Sequence, residues 1–244
     1  NKLEPHERVA VICMDPSSSK TGGSLLGDKT RMMELSRHER AFIRPCPNQT
    51  MLGGLAPTTH DSMTLCRLAG YSWTLIETVG LGQTNGQDVV HCVDLLVLLV
   101  PPREDELQTL KKGILEFADL VLVHKADVVG MRQARGTAHL YKHNYQEKEV
   151  LAASSYSGEG MEEIWDYLCT QKERLMKDTE YFEKNREKEN HYWMWKHFHN
   201  LLQANTRTNT ELQTKATTLQ KAIQEDKMTP SMAASQMLEM YVKK

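Results

Sequence analysis

The chain predicts an α/β protein: a mostly parallel sheet with helices on both faces, followed by a C-terminal helical arm. Three observations carry that expectation. About five short apolar runs recur between Val9 and Ala153, and each is continuous rather than alternating, the pattern of strands buried on both sides. Stretches with helical spacing separate them, which favours parallel strands joined by right-handed crossovers. Beyond about Gln171 the apolar runs stop and a sequence dense in both charge signs takes over.

In chain order, Val9 to Met14 forms the first strand. The segment from Asp15 to Gly27 that follows is too long for a tight strand-to-helix turn and reads as a switch loop. Leu75 and Ile76, with their flanks, make the next strand, and Leu95 to Val100 another. Leu107, Leu110, Ile114, Phe117 and Ala118 share one helical face behind the acidic residues Glu104, Asp105 and Glu106, which suit a helix N-terminus. Strands at Leu120 to Val123 and Val150 to Ala153 complete the sheet. The turn Ser157-Gly158-Glu159-Gly160 then opens a helix with Met161, Ile164, Trp165 and Leu168 on its apolar face.

Residues 1–170 therefore read as one sheet domain and 171–244 as an arm. In the arm, Glu173/Lys177 and Glu180/Lys184 stand at i,i+4 spacing and predict an exposed helix. The aromatic cluster His191-Tyr192-Trp193-Met194-Trp195 reads as a docking face against the sheet domain or a second protomer. Its histidines lack a carboxylate or cysteine at ligand spacing, which argues against a metal. A helix from about Glu211 to Gln224 follows. The last begins at Thr229-Pro230, an N-cap with proline at the first helical position.

Composition narrows the function. With 40% hydrophobic residues, 25% charged residues and a formal net charge of −2 over 244 residues, the chain falls among globular proteins, and no field of one sign draws it to nucleic acid or a membrane surface. No apolar run approaches the ~20 residues a membrane span needs. The five cysteines are odd in number and none stands in C-x-x-C spacing, which indicates neither a disulfide framework nor a zinc site. No signal or transit pattern is visible, and the chain reads as starting partway into a domain.

The residues that carry chemistry gather at predicted strand ends. The run Trp73 to Glu77 ends in a carboxylate, with Gly80 and Gly82 freeing the backbone beyond it. Ligands of open α/β sheets bind past the carboxyl ends of the strands. A carboxylate there suits Mg²⁺ and a terminal phosphate; the plainer alternative is a solvated glutamate at a strand-to-loop corner. No segment matches the phosphate-cradling G-x-x-x-x-G-K-[ST] pattern. The nearest, Gly23 to Thr30, places Asp28 where it would repel phosphate. Asp15 and Asp28 are instead candidate metal or water-positioning carboxylates, unless they serve only turns and caps.

The strand Leu120 to Val123 ends in His124-Lys125-Ala126-Asp127. Asp127 can accept from the ring and exocyclic N–H groups of guanine while the lysine stem lies over the base. Adenine lacks that donor pair and would leave the carboxylate unpaired. Ser154 and Ser155, after the last strand, sit where a backbone N–H can meet the guanine carbonyl.

Taken together, the chain resembles the MeaB/ArgK/methylmalonic-aciduria-type-A family of P-loop GTPases. The matching stretches are Asp15 to Ser18, Gly22 to Met32, Phe42 to Pro45, Leu52 to Gly54, Glu77 to Gly80 with Gly82-Gln83, Asp105 to Gln108, and Lys125 with Asp127. Trp193 to Trp195 and the Thr229-Pro230 helix fit the animal mitochondrial branch. The resemblance implies a P-loop NTPase-like fold and a GTPase that is chaperone to the adenosylcobalamin-dependent methylmalonyl-CoA mutase, gating cofactor loading and protecting or reactivating the mutase. It implies GTP or GDP with Mg²⁺, a homodimer through the C-terminal helices, and a mitochondrial matrix location, or a cytoplasmic one in a bacterium. Glu77 becomes the acid near Mg²⁺ and, with Asp28, a catalytic candidate. Asp15 and Asp28 become switch carboxylates, and Lys125, Asp127, Ser154, Ser155 and Gly80 become nucleotide contacts.

The chain departs from that family at several points. The first strand and phosphate loop are expected upstream of Asn1, His124 replaces the usual Asn, the run after Gln83 is one residue longer, and Arg103-Glu104 replaces a Gly-Gly pair. A rival reading is a non-hydrolysing partner-binding module that has lost its phosphate loop. A nucleotide-driven metallochaperone is less favoured, since no exposed Cys/His motif is seen. Loss of a core strand leaves unpaired backbone and apolar surface, so the 244-residue chain is expected to be marginally stable. A cooperative, high-temperature melt in scanning calorimetry would contradict this.

Overall fold

The computed structural model describes residues 2–14, 32–46, 57–78, 86–102, 112–145 and 148–242. They contain β1 (Val9–Cys13), α1 (Met33–Ser36), β2 (Ala41–Pro45), α2 (Pro57–Leu68), β3 (Trp73–Glu77) and α3 (Gly86–Val90). Next come β4 (Val97–Val100), α4 (Lys112–Phe117), β5 (Leu120–Val123), α5 (Ala126–Val129), α6 (Met131–Asn144) and β6 (Glu149–Ala152). The long helices α7 (Met161–Lys177), α8 (Thr179–Thr208), α9 (Thr210–Gln224) and α10 (Pro230–Val242) close the chain. Two compact units are present, Asn1–Glu189 and Asn190–Lys244, so the division falls inside α8.

The first unit holds two three-stranded sheets, ordered β2-β1-β3 and β4-β5-β6, and every strand pair in both is parallel. Each of the five apolar runs read from the sequence is a strand. The sixth, β2, was not anticipated. Its sequence Ala-Phe-Ile-Arg-Pro buries only Ile43, so an edge strand carries no continuous apolar run to betray it. It is located by register, with Val11 opposite Ile43 and Cys13 opposite Pro45.

Helices cover both faces of β4-β5-β6. Val121, Val123, Val150 and Ala152 pack against Leu115 of α4 and Ala134, Ala138 and Tyr141 of α6. On the other face Leu120 packs against Ile164, with Val97, Tyr167 and Leu168 around them. The apolar face expected at Ile164 and Leu168 is therefore in use.

The same helix reaches the other sheet. Trp165 stacks on Trp73, the first residue of β3, with ring centroids 5.0 Å apart. One turn or two further on, Lys172 lies 4.4 Å above the Trp73 ring and pairs with Glu7 at 2.5 Å, while Trp73 donates its indole N–H to Glu7 at 3.1 Å. Tyr167 donates to the carbonyl of Asp119, just ahead of β5, at 3.0 Å. One stretch of α7 thus meets the amino ends of strands from both sheets.

The edges at β3 and β4 stay open among the described residues. Among the described residues β3 pairs only with β1, and β4 only with β5. Leu75 in the middle of β3 is 50% exposed and Leu99 in β4 is 56% exposed. Half-exposed leucines at mid-strand are unusual where both faces of a parallel sheet are normally covered.

The compact units divide at Asn190 rather than at 171, so the expected arm is split: residues 171–189 belong to the first unit and 190–244 form the second. Asn209 caps α9 by accepting from the amide of Leu212 at 3.1 Å, and Thr229 accepts from the amide of Met232 at 3.2 Å at the start of α10, as its Thr-Pro sequence requires. Leu212, Leu219 and Ala233 are buried as α9 and α10 pack together. Trp193 is buried, and Trp195 is about half exposed at 47%. The predicted ion pairs form: Glu173 with Lys177 at 3.6 Å and Glu180 with Lys184 at 2.6 Å.

Glu7 supplies a pH test of the contact between α7 and β3. Burial raises its pKa, but the Lys172 ammonium, the Glu4 amide and the Trp73 indole outweigh burial and hold the carboxyl below its ordinary value. A depressed native pKa contributes stability above the unfolded-state value, and that contribution is lost as pH falls through the native value. Glu7→Gln should cost about 1–2 kcal/mol at neutral pH and flatten the acid limb of stability against pH in urea titrations. An unchanged acid limb would contradict the assignment.

Candidate functional site

Glu77 ends β3 opposite Cys13 of β1, and its carbonyl accepts from the amide of Met14 at 2.9 Å. Its backbone is thus fixed by the sheet while its side chain stands exposed. An exposed carboxylate at a parallel strand's carboxyl end is an oxygen ligand of the kind hard cations take. Asp15, Asp28 and Gly80, the other residues expected near metal and phosphate, lie outside the described residues.

At the end of β5 the geometry is better defined. The His124 amide donates to the carbonyl of Val100 at 3.0 Å, extending the β4–β5 ladder one residue. His124 is half-buried; burial, reinforced by the Lys125 charge, pushes its pKa down, so the ring is neutral at pH 7. Lys125 then turns the chain with φ 56° and ψ 39°. That left-handed conformation costs a non-glycine residue about 1–2 kcal/mol and is found most often where a site needs it. Here it lets the Ala126 amide donate to the carbonyl of Ala153 at 3.1 Å and sets Asp127 in the first turn of α5.

Asp127 is exposed, and one of its carboxylate oxygens accepts from the Ser154 hydroxyl. Ser154 is itself 1% exposed. The same hydroxyl accepts from the amides of Tyr156 and Ser157 at 3.2 and 3.1 Å. Its amide donates to the carbonyl of Glu159 at 2.9 Å, and its carbonyl accepts from Gly158 at 2.9 Å. The amide expected to face a guanine carbonyl is therefore engaged at Ser154. The structure gives this residue a different task, bracing Asp127 from behind. Ser155 beside it is exposed.

Gly160 closes this loop with φ +79°, and a Cβ there would come within 2.2 Å of the Ala152 carbonyl. Only glycine lets α7 begin so close to the end of β6. The arrangement is thus an exposed carboxylate on a strained turn, locked by a buried hydroxyl. It presents one planar acceptor pair outward, suited to a ligand with two adjacent N–H donors.

Parallel strands alternating with helices define an open-sheet α/β protein, a class that binds its ligands past the strands' carboxyl ends. The chain belongs to the family described as "Methylmalonyl Co-A mutase-associated GTPase MeaB", which matches residues 3–211. It is similar to the mouse protein named "Methylmalonic aciduria type A homolog, mitochondrial", with 38% identity over 98% of this chain and 59% of that protein. A Caulobacter vibrioides "Putative GTPase" is 37% identical over 99% of this chain and 76% of its own length, and Escherichia coli "GTPase ArgK" 40% identical over 69% and 54%. The chain thus spans about three-fifths of the mouse relative's length. Among solved structures, that of a "LAO/AO transport system kinase" superposes with a TM-score of 0.66 at 25% identity, covering 98% of this chain and 72% of that one.

The Lys125 turn separates stability from recognition. Lys125→Gly removes left-handed strain but adds unfolded-state freedom, so urea unfolding should stay within about 1 kcal/mol of the parent. Lys125→Val, which cannot adopt this φ without strain, should lose about 1–2 kcal/mol. Equal stability of the two variants would argue against the strained turn.

Proposed function

We propose that this chain is the nucleotide-reading part of a GTP-binding, GTP-hydrolysing chaperone of adenosylcobalamin-dependent methylmalonyl-CoA mutase. The observation that carries it is Asp127, outward-facing, braced by buried Ser154 and set by the left-handed Lys125. An aspartate held in this way accepts from the ring and exocyclic N–H groups of guanine, and the Lys125 stem covers the base. The amide that meets the guanine carbonyl is that of Ser155, since the Ser154 amide is already bonded. Adenine offers no matching donor pair, and binding it would leave the Asp127 carboxylate desolvated and unpaired.

Glu77 fits the charge and ligand chemistry of Mg²⁺ at the phosphate end, together with Asp15 and Asp28. Magnesium, when bound, neutralises charge on the terminal phosphates. Glu77 and Asp28 would orient the attacking water, and Gly80 would bring its backbone N–H to the phosphate. The edges of β3 and β4 are unpaired among the described residues, and each can take a further strand. A strand seated there would deliver its following turn to the phosphates, which is the place for a phosphate loop supplied by a longer protein.

The mutase as partner, with gating of its cofactor loading and its protection or reactivation, is proposed from the family. So are a mitochondrial matrix location and a homodimer. The dimer is supported by α8, where Met194, Trp195, Phe198 and Leu201 are exposed at one helical spacing, an apolar row suited to a second copy of the same helix. A second reading, a non-hydrolysing partner-binding module, is favoured by the same open edges: β3 and β4 can accept a partner's strand without any nucleotide.

The test is a titration of GTP, GDP and ATP with Mg²⁺ against the chain and against a version extended by a phosphate loop. Guanine nucleotides should bind at least about tenfold more tightly than ATP, and Asp127→Ala should abolish the preference while leaving the fold intact. Equal affinity for ATP would overturn the guanine assignment. Guanine binding without hydrolysis in the extended form would favour the second reading.

A further inference from the structure

Away from Glu77 and Asp127, the first unit contains one more group of charges that packing alone does not require. Glu189 on α8 is 6% exposed. Its carboxylate pairs with the Arg186 guanidinium one turn earlier, lies 3.4 Å from His60 Nε2 and 3.9 Å from Arg67, both on α2. Arg186 also pairs with Asp94, in the turn between α3 and β4, and stacks over the Phe182 ring at 4.7 Å. One buried pair thus holds three separate elements: α2, the turn before β4, and the base of α8.

Those elements are not arbitrary. Helix α2 is the first described element after β2, across residues 47–56, and α3 is the first after β3, across residues 79–85. Both intervals leave the carboxyl ends of parallel strands, the side where Glu77 stands. Helix α2 carries His60 and Arg67, which meet Glu189, and α3 leads into the Asp94 turn, which meets Arg186.

Energetics point the same way. Burial alone would raise the Glu189 carboxyl, but His60, Arg186 and Arg67 together hold it below the usual carboxylate range; burial would likewise lower Arg186, but Asp94 and Glu189 raise it. Both groups are therefore charged. A buried ion pair adds little net stability over apolar side chains of similar volume. What it adds is directional: three elements must keep one geometry or leave a buried charge unpaired.

We infer that the Arg186–Glu189 pair is a positioning joint that ties α2 and the Asp94 turn to the base of α8, so that a ligand held at the strands' carboxyl ends is registered along residues 179–189. The ligand arm of this inference rests on the guanine-nucleotide reading above; the joint itself does not.

Two measurements on the full chain test it. The first is a double-mutant cycle between His60→Ala and Asp94→Asn in urea. These residues meet different ends of the joint, so their combined effect on the unfolding equilibrium should differ from the product of the single effects by roughly threefold or more. Multiplicative effects within about 1.5-fold would overturn the joint.

The second is amide hydrogen exchange with and without GDP and Mg²⁺. Nucleotide should slow exchange in 57–68 and in 179–189 of the native chain. In the apolar double variant R186M/E189L the slowing should persist in 57–68 and vanish in 179–189. Equal slowing of 179–189 in that variant would overturn the inference. An absence of any nucleotide effect in the native chain would count against the guanine reading, and the cycle would then decide the joint alone.

Discussion

The contact between Trp165 and Trp73, locked by the Lys172–Glu7 pair, is the constraint on which the rest depends. Two three-stranded sheets have no hydrogen-bond ladder between them among the described residues. Helix α7 links them, packing Ile164, Tyr167 and Leu168 on one sheet and Trp165 and Lys172 on the other. Aromatic stacking is worth about 0.5–1.5 kcal/mol beyond area burial, and a charged hydrogen bond about 1.5–3. Neither term is large, but they act where side chains rather than backbone join elements of the two sheets.

Much of this was legible in the sequence, for identifiable reasons. Five strands were read correctly because parallel strands buried on both faces are continuous apolar runs, a signal that needs no tertiary information. Strand β2 escaped because an edge strand with one buried residue has no such run. The positions of Glu77 at the end of β3 and of Lys125 and Asp127 just past β5 were legible because the end of a strand is set by local order. Ser154 was half legible. Its place in the loop could be read, but the engagement of its amide by Glu159 and of its hydroxyl by Asp127 depends on how residues 154–160 fold back. A cue for that fold was present in Gly158 and Gly160, both at positive φ.

The joint at Arg186 and Glu189 was not legible at all. In sequence these residues belong to a run of mixed charges that reads as a solvated helix, and for Glu180 and Lys184 that reading is right, since both are exposed. The difference at Glu189 is made by α2 and the Asp94 turn, about 120 and 95 residues away along the chain. Helical spacing reports which side chains share a face, and says nothing of what covers that face.

The geometry at Asp127 shows what a costly turn adds to the recognition proposed above. A carboxylate at the start of a helix gains from the helix dipole whether or not a ligand is present, so local stability alone would not hold it in any one rotamer. Ser154 removes that freedom, since its hydroxyl donates to one oxygen and is itself held by two amides. The left-handed Lys125 fixes the backbone, and the buried serine fixes the side chain. Rotational entropy that a ligand would otherwise have to remove is thus removed during folding, at the expense of about 1–2 kcal/mol of backbone strain. Strain of that size persists only where the surroundings over-determine it. Here they do: Ala126 is bonded to Ala153, His124 to Val100, and Ser154 to Glu159, so the turn cannot relax without breaking the end of the β4-β5-β6 sheet.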